Sequence, residues 1–167
     1  MALAAAGAAI AGPGTMGALA EGTVVAGKYG DWTLHISEGK SYKICFITSE
    51  PEEKGGGAGN RVATLFYVSA WPKDGVKAEI SVKLGFPVKA GSEVKVSVDK
   101  DTFKLFPKEE RAFVADATQE LKLLDAMKKG TRLKVEARSE RGSDATVDAY
   151  SLSGFSQAIQ SLAAACP

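Results

Sequence analysis

The stretch ATVDAYSLSGFSQAIQSLAAACP, residues 145–167, decides how the chain is read, because its period changes partway through. Over ATVDAYS the side chains alternate as on a β-strand. From Gly154 onward the apolar residues Phe155, Ile159 and Leu162 recur at i, i+4 and i+7, the spacing of one helical face. Ser153 is a residue type that caps helix N-termini, and Gly154 permits a tight hand-over from strand to helix. Continued, the stripe reaches Cys166, one of two cysteines among the 167 residues. This pattern predicts a terminal helix docked on a β-domain, with its last cysteine turned inward.

Upstream, short alternating runs follow one another from Asp31. DWTLHIS puts Trp32, Leu34 and Ile36 on one face, whereas YKICFIT is apolar on both faces and predicts a central strand. RVATLFYVSAW is apolar almost throughout. VKAEISVKL alternates, with Val76, Ala78, Ile80, Val82 and Leu84 directed inward and Lys77, Glu79, Ser81 and Lys83 toward water. EVKVSVD and TFKLF repeat the pattern, and TRLKVEARS buries Leu133, Val135 and Ala137. Turn residues separate the runs, as in Pro72-Lys73-Asp74-Gly75 and Ala90-Gly91-Ser92. About eight strands in one domain predict a mainly β sandwich or barrel. DATQELKLLDAMKKG interrupts the series as a helix, with Asp116 as N-cap, a stripe of Ala117, Leu121, Leu124 and Met127, basic Lys128 and Lys129 in the last turn, and Gly130 as C-cap. EPEEKGGGAGN, residues 50–60, reads as a mobile polar loop; no Gly-Lys-Ser or Gly-Lys-Thr follows it, and a strand comes next, so it is no phosphate cradle.

The composition, 45% hydrophobic and 25% charged with a net charge of +1, is that of an ordinary globular domain. Lys40, Lys73, Lys77, Lys83, Lys95 and Lys104 are interleaved with acids or alternate along strands, so no nucleic-acid partner is expected. Residues 1–20, MALAAAGAAIAGPGTMGALA, carry no charge and end in Ala18-Leu19-Ala20, which reads as a secretory signal or its remnant cleaved before Glu21, although no Lys or Arg precedes the apolar run. Gly7, Gly12, Pro13, Gly14 and Gly17 make the segment too weakly apolar for a lasting transmembrane anchor; a disordered tail is the alternative. Residues 21–167 then form the single domain, in the periplasm or at the outer surface.

Chemistry is sparse. The single imidazole, His35, lies on the polar side of its strand, and Cys45 sits in an apolar run that suits a structural cysteine better than a reactive thiolate. One His and two distant Cys supply no metal-ligand spacing, and Glu52-Glu53 and Glu109-Glu110 read as solvated charge. No catalytic residue, metal or cofactor is expected, and the chain reads as a non-enzyme. In an oxidising compartment Cys45 and Cys166 are expected to form a disulfide tying the terminal helix to a central strand, with free buried thiols as the alternative.

Several stretches together resemble the invasion-associated locus B family of exported bacterial proteins. They are Tyr29-Gly30-Asp31-Trp32, the Cys45 strand with Ser49-Glu50-Pro51, Asn60-Arg61, Gly85-Phe86-Pro87-Val88-Lys89, Ala126-Met127-Lys128-Lys129-Gly130, and Ser139-Glu140-Arg141-Gly142 leading to Tyr150-Ser151-Leu152-Ser153-Gly154-Phe155. The resemblance implies an immunoglobulin-like β-sandwich, here with one helix between late strands and a C-terminal helix. It also implies export to the periplasm or outer surface and, for the members that gave the family its name, a part in entry into host red blood cells. It carries over no catalytic residue. Many members have a cysteine soon after Gly-Asp-Trp; Leu34-His35-Ile36 has none. The expected role is a cell-envelope protein that binds another protein or envelope component, including in host-cell interaction. The alternative is a periplasmic small-ligand carrier or chaperone, which would need an apolar pocket between the sheets.

Overall fold

The structure, a computed structural model, describes residues 22–57, 61, 63–142 and 144–167. The expected signal segment 1–20 and its cleavage point before Glu21 lie outside the described residues, as does Asn60. The alternating runs become strands β1 (Thr23–Tyr29), β2 (Trp32–Glu38), β3 (Lys43–Ser49), β4 (Glu53–Gly55), β5 (Leu65–Trp71), β6 (Val76–Lys83), β7 (Val94–Val98), β8 (Asp101–Lys108) and β9 (Arg111–Val114). Helix α1 (Ala117–Lys129), strands β10 (Arg132–Arg138) and β11 (Ala145–Ser151), and helix α2 (Phe155–Ala165) complete the chain.

The fold is mainly β and antiparallel, but the strands join in one ladder of order β1-β2-β3-β5-β6-β9-β8-β7-β10-β11-β4 rather than in two separate sheets. β8 makes the connection: Asp101–Leu105 pair with β7, and Leu105–Lys108 pair with β9 on its other edge. The ladder curls so that its two halves face across one core in a sandwich-like arrangement. Phe66 of β5 meets Tyr150 of β11 edge to face at 5.7 Å, and the indole N–H of Trp32 in β2 donates to the Ser151 carbonyl at 3.1 Å. The inward residues of the alternation, among them Leu34, Ile47, Val68, Ile80, Val82, Val96, Leu133 and Val135, are buried in this core.

Two glycine turns, distant in sequence, meet to seat α2. Gly30 (φ +56°) and Gly154 (φ +84°) both take left-handed backbone conformations that favour glycine. A Cβ on Gly30 would stand 2.5 Å from the Ser153 carbonyl oxygen, and one on Gly154 would collide with the Tyr29 carbonyl. The Asp31 N–H donates to the Ser153 carbonyl at 3.1 Å, and Phe155 packs against Trp32 at 4.9 Å. The Gly-Asp-Trp and Ser-Gly-Phe stretches are therefore two sides of one junction. α2 buries Phe155, Ala158 and Leu162 across β2 and β3, with Ile159 partly buried beside them.

Several expectations need correction. More strands form than the eight or so expected, eleven among the described residues. Residues 50–60 are not simply a mobile loop: Glu53–Gly55 form β4, paired with Val147–Ala149 of β11. Gly154 rather than Ser153 takes the N-cap position of α2, and no side chain caps it there. In α1 the buried residues are Leu123, Leu124 and Met127, whereas Leu121 is 68% exposed. The helix is rolled so that Glu120 accepts from the Ile80 N–H, covering β6 where its pairing with β9 stops. Asp116 does cap α1, accepting from the Gln119 N–H at 2.9 Å.

Candidate functional site

Among the described residues, no second layer covers the outward faces of β3, β5, β6 and β9. Alternation that sends Cys45, Ile47, Phe66, Val68, Ile80 and Ala112 inward must send Phe46, Tyr67, Trp71 and Phe113 outward. There they line a groove of about 400 Å³ together with Ile44, Ser69, Glu79, Ser81 and Arg111. The cross-strand register explains its shape. Ser69 lies between Phe46 and Glu79, and Ser81 between Tyr67 and Phe113, so small residues form the floor and large ones the walls. Both serines are buried, although Ser81 was expected to face water; the rings on either side shelter it. Neighbouring strands are about 4.8 Å apart, so from β3 to β9 the groove crosses the strands over about 14 Å.

The walls are held by ring contacts. Phe46 stacks on His35 at 4.8 Å and leans on Tyr67 at 6.2 Å, the Arg111 guanidinium lies over Tyr67 at 4.9 Å, and Phe113 stacks on the exposed Phe106 at 5.8 Å. Arg111 also reaches the Ser81 hydroxyl at 3.5 Å. The indole N–H of Trp71 is buried and has no hydrogen-bond partner among the described residues. Packed aromatic and arginine side chains of this kind carry most of the energy of binding surfaces.

His35 and Cys45 are kept apart by the sheet. Cys45 faces the core, where the structure joins it to Cys166 with an S–S distance of 2.08 Å and a Cα separation of 5.9 Å. His35 faces outward, its Nε2 3.0 Å from the Thr48 hydroxyl, and burial holds its pKa below the ordinary value. A second polar cluster lies inside the fold: Arg61 binds Asp148 at 2.6 Å, with the Asp148 side chain fully buried, and its guanidinium lies 5.8 Å from the Phe86 ring centre. Burial, reinforced by the nearby Asp148 carboxylate, pushes the Tyr150 hydroxyl well above its ordinary pKa. Arg61 also reaches the Gly55 carbonyl at 3.5 Å, so this ion pair fastens the β4 segment onto β11.

A larger cleft of about 650 Å³ lies between α1 and the β7–β8 turn. Its lining balances Asp99, Asp101 and Asp125 against Lys100, Lys122 and Lys129, and the Lys129–Asp125 pair at 2.7 Å is solvent-exposed. Such a cleft is solvated charge and offers little to hold a ligand.

The described residues form an antiparallel β-domain with a tethered terminal helix and an open aromatic groove on its outer face. The family model for "Invasion associated locus B (IalB) protein" matches residues 32–163, and the chain belongs to that family. The match runs from the first residue of β2 into α2. No curated protein and no solved structure matches the chain.

Proposed function

We propose that this protein is an exported, non-enzymatic component of the bacterial cell envelope that acts by binding another envelope component through its outer aromatic groove. The observation that carries the reading is the groove itself, with Phe46, Tyr67, Trp71, Phe113 and Arg111 on a sheet face that no other layer among the described residues covers. Export is supported by the family, by the signal-like residues 1–20, and by a cysteine pair at bonding distance, which suits an oxidising compartment. No described helix is long and apolar enough to cross a membrane. The invasion-associated name of the family supports a role at the periplasm or outer surface that extends to contact with host cells.

A carrier enclosing its ligand between the sheet halves is the weaker reading. Trp32, Phe66, Tyr150 and Phe155 fill that space, with ring centres 4.9 to 6.0 Å apart. The test is capture from a native envelope extract on the immobilised folded chain, in parallel with a Phe106→Ala/Phe113→Ala variant of equal thermal midpoint. The wild-type chain is expected to retain a partner that the variant loses by at least about tenfold, as truncation of hot-spot aromatics does. Equal retention by both would overturn the assignment of function to this face.

A further inference from the structure

The groove's hydrogen-bonding inventory narrows what can occupy it. Its lining carries one carboxylate, Glu79, and one guanidinium, Arg111, so it has no net charge with which to hold an anionic polymer or a basic peptide. It presents both halves of the hydrogen-bond repertoire beside apolar walls. Trp71 lines the groove, but its indole N–H is enclosed by the protein, so a ligand there meets the ring rather than the donor. The Arg111 guanidinium, with five donors, lies over the Tyr67 ring and makes one hydrogen bond among the described residues, the 3.5 Å contact with Ser81. The Glu79 carboxylate, an acceptor only, makes no side-chain hydrogen bond or ion pair among the described residues. A ligand that covers the groove removes water from Arg111 and Glu79, and a polar group left unpaired on burial is costly, so the fitting ligand supplies acceptors to Arg111 and a donor to Glu79 while laying an apolar surface on the rings.

We infer that the ligand is a linear, uncharged glycan. A pyranose ring has an apolar C–H face and a rim of hydroxyls, each of which donates and accepts, and the groove crosses the strands as a channel along which a chain can lie. A proline-rich peptide, the other ligand class suited to aromatic grooves, offers carbonyl acceptors but no N–H at its prolines to satisfy Glu79. The inference rests on the reading of this face as the binding surface and specifies its partner.

Trp71 makes the test direct. Trp32 is fully buried, so a ligand-induced change in tryptophan emission reports on Trp71, one of only two tryptophans. Cellohexaose, chitohexaose and maltohexaose are titrated into the full chain by fluorescence and calorimetry, with decaproline as the competing class. Saturable binding of at least one glycan is expected, weakened about tenfold or more by Glu79→Gln, which keeps the side-chain shape and removes a charged acceptor. No glycan binding tighter than about 1 mM, or an affinity unchanged in both Glu79→Gln and Phe113→Ala, overturns the inference. If decaproline alone binds and Phe113→Ala abolishes it, the glycan assignment fails while the binding face stands. If the envelope capture described above is also indifferent to the groove variants, the functional reading fails with it.

Discussion

Removing the link between Cys45 and Cys166 should cost the protein much of its stability without costing it its fold. The two cysteines are 121 positions apart. In the chain-entropy description, freeing a loop of that length in the unfolded state removes about 5 kcal/mol of stabilisation, an upper figure because denatured chains keep some structure. Both cysteines are buried, so a Cys45→Ala/Cys166→Ala variant is preferable to serine, which would bury two hydroxyls. α2 retains its own anchors in Phe155, Ala158 and Leu162 and its junction at Gly30 and Gly154, so the helix is expected to stay docked and to fray only near residue 166. The expected loss is about 3 to 5 kcal/mol, measured by urea denaturation of the variant against the oxidised wild type. At about 2 to 4 °C per kcal/mol for a chain of this size, the thermal midpoint should fall by about 6 to 20 °C. Far-UV circular dichroism should keep its strand signal, and reduced wild-type protein should match the variant. A loss below about 1 kcal/mol would refute the argument that the link acts by restraining the unfolded chain. Loss of the strand signal would refute the claim that α2 is held independently.

Three further outcomes follow from the core and the outer face. Trp32→Ala should cost about 3 to 5 kcal/mol, because it empties the contact with Phe66 and Phe155 and strands the Ser151 carbonyl; an unchanged midpoint with lost binding would make Trp32 a ligand contact instead. Arg61→Met should cost about 3 to 5 kcal/mol by leaving Asp148 buried and unpaired, and adding Asp148→Leu should recover most of it; a double variant no better than the single one would contradict this. His35 has a folded-state pKa lowered by burial, so the unfolded chain binds its proton first as pH falls. Stability should be full above the ordinary histidine pKa and decline as pH drops from there through the lowered value. Denaturation midpoints of wild type and His35→Gln at pH 7.5 and in that acid window should converge on acidification, and parallel curves would argue against it.

How far the sequence could be read depended on whether the cause of a feature was local. Alternation in TRLKVEARS and EVKVSVD located the buried faces of β10 and β7, and the Asp116 cap and last-turn lysines located α1, because those signals lie within a few residues of what they govern. β4 escaped because three residues are too short to carry a period, and its partner β11 lies about ninety positions away. Asp148 sits in the inward register of β11 between Thr146 and Tyr150, a charge on a buried face that calls for a counter-ion, yet its partner Arg61 is 87 positions upstream. The candidate site was missed for a related reason. YKICFIT and LFYVSAW are apolar on both faces, which reads as a strand covered on both sides, and whether a second layer arrives is a matter of tertiary packing. Among the described residues none arrives, and the second apolar face becomes the groove.

The most direct measurement is site-specific photo-crosslinking in living cells, with a photoreactive phenylalanine analogue at Phe113 on the groove wall and, as a control, at the exposed Leu121 of α1. A discrete adduct at position 113, absent at 121, is the result expected of an envelope protein that binds through its outer aromatic face. An adduct at 121 alone, or none at either position in cells that produce the folded protein, would contradict it.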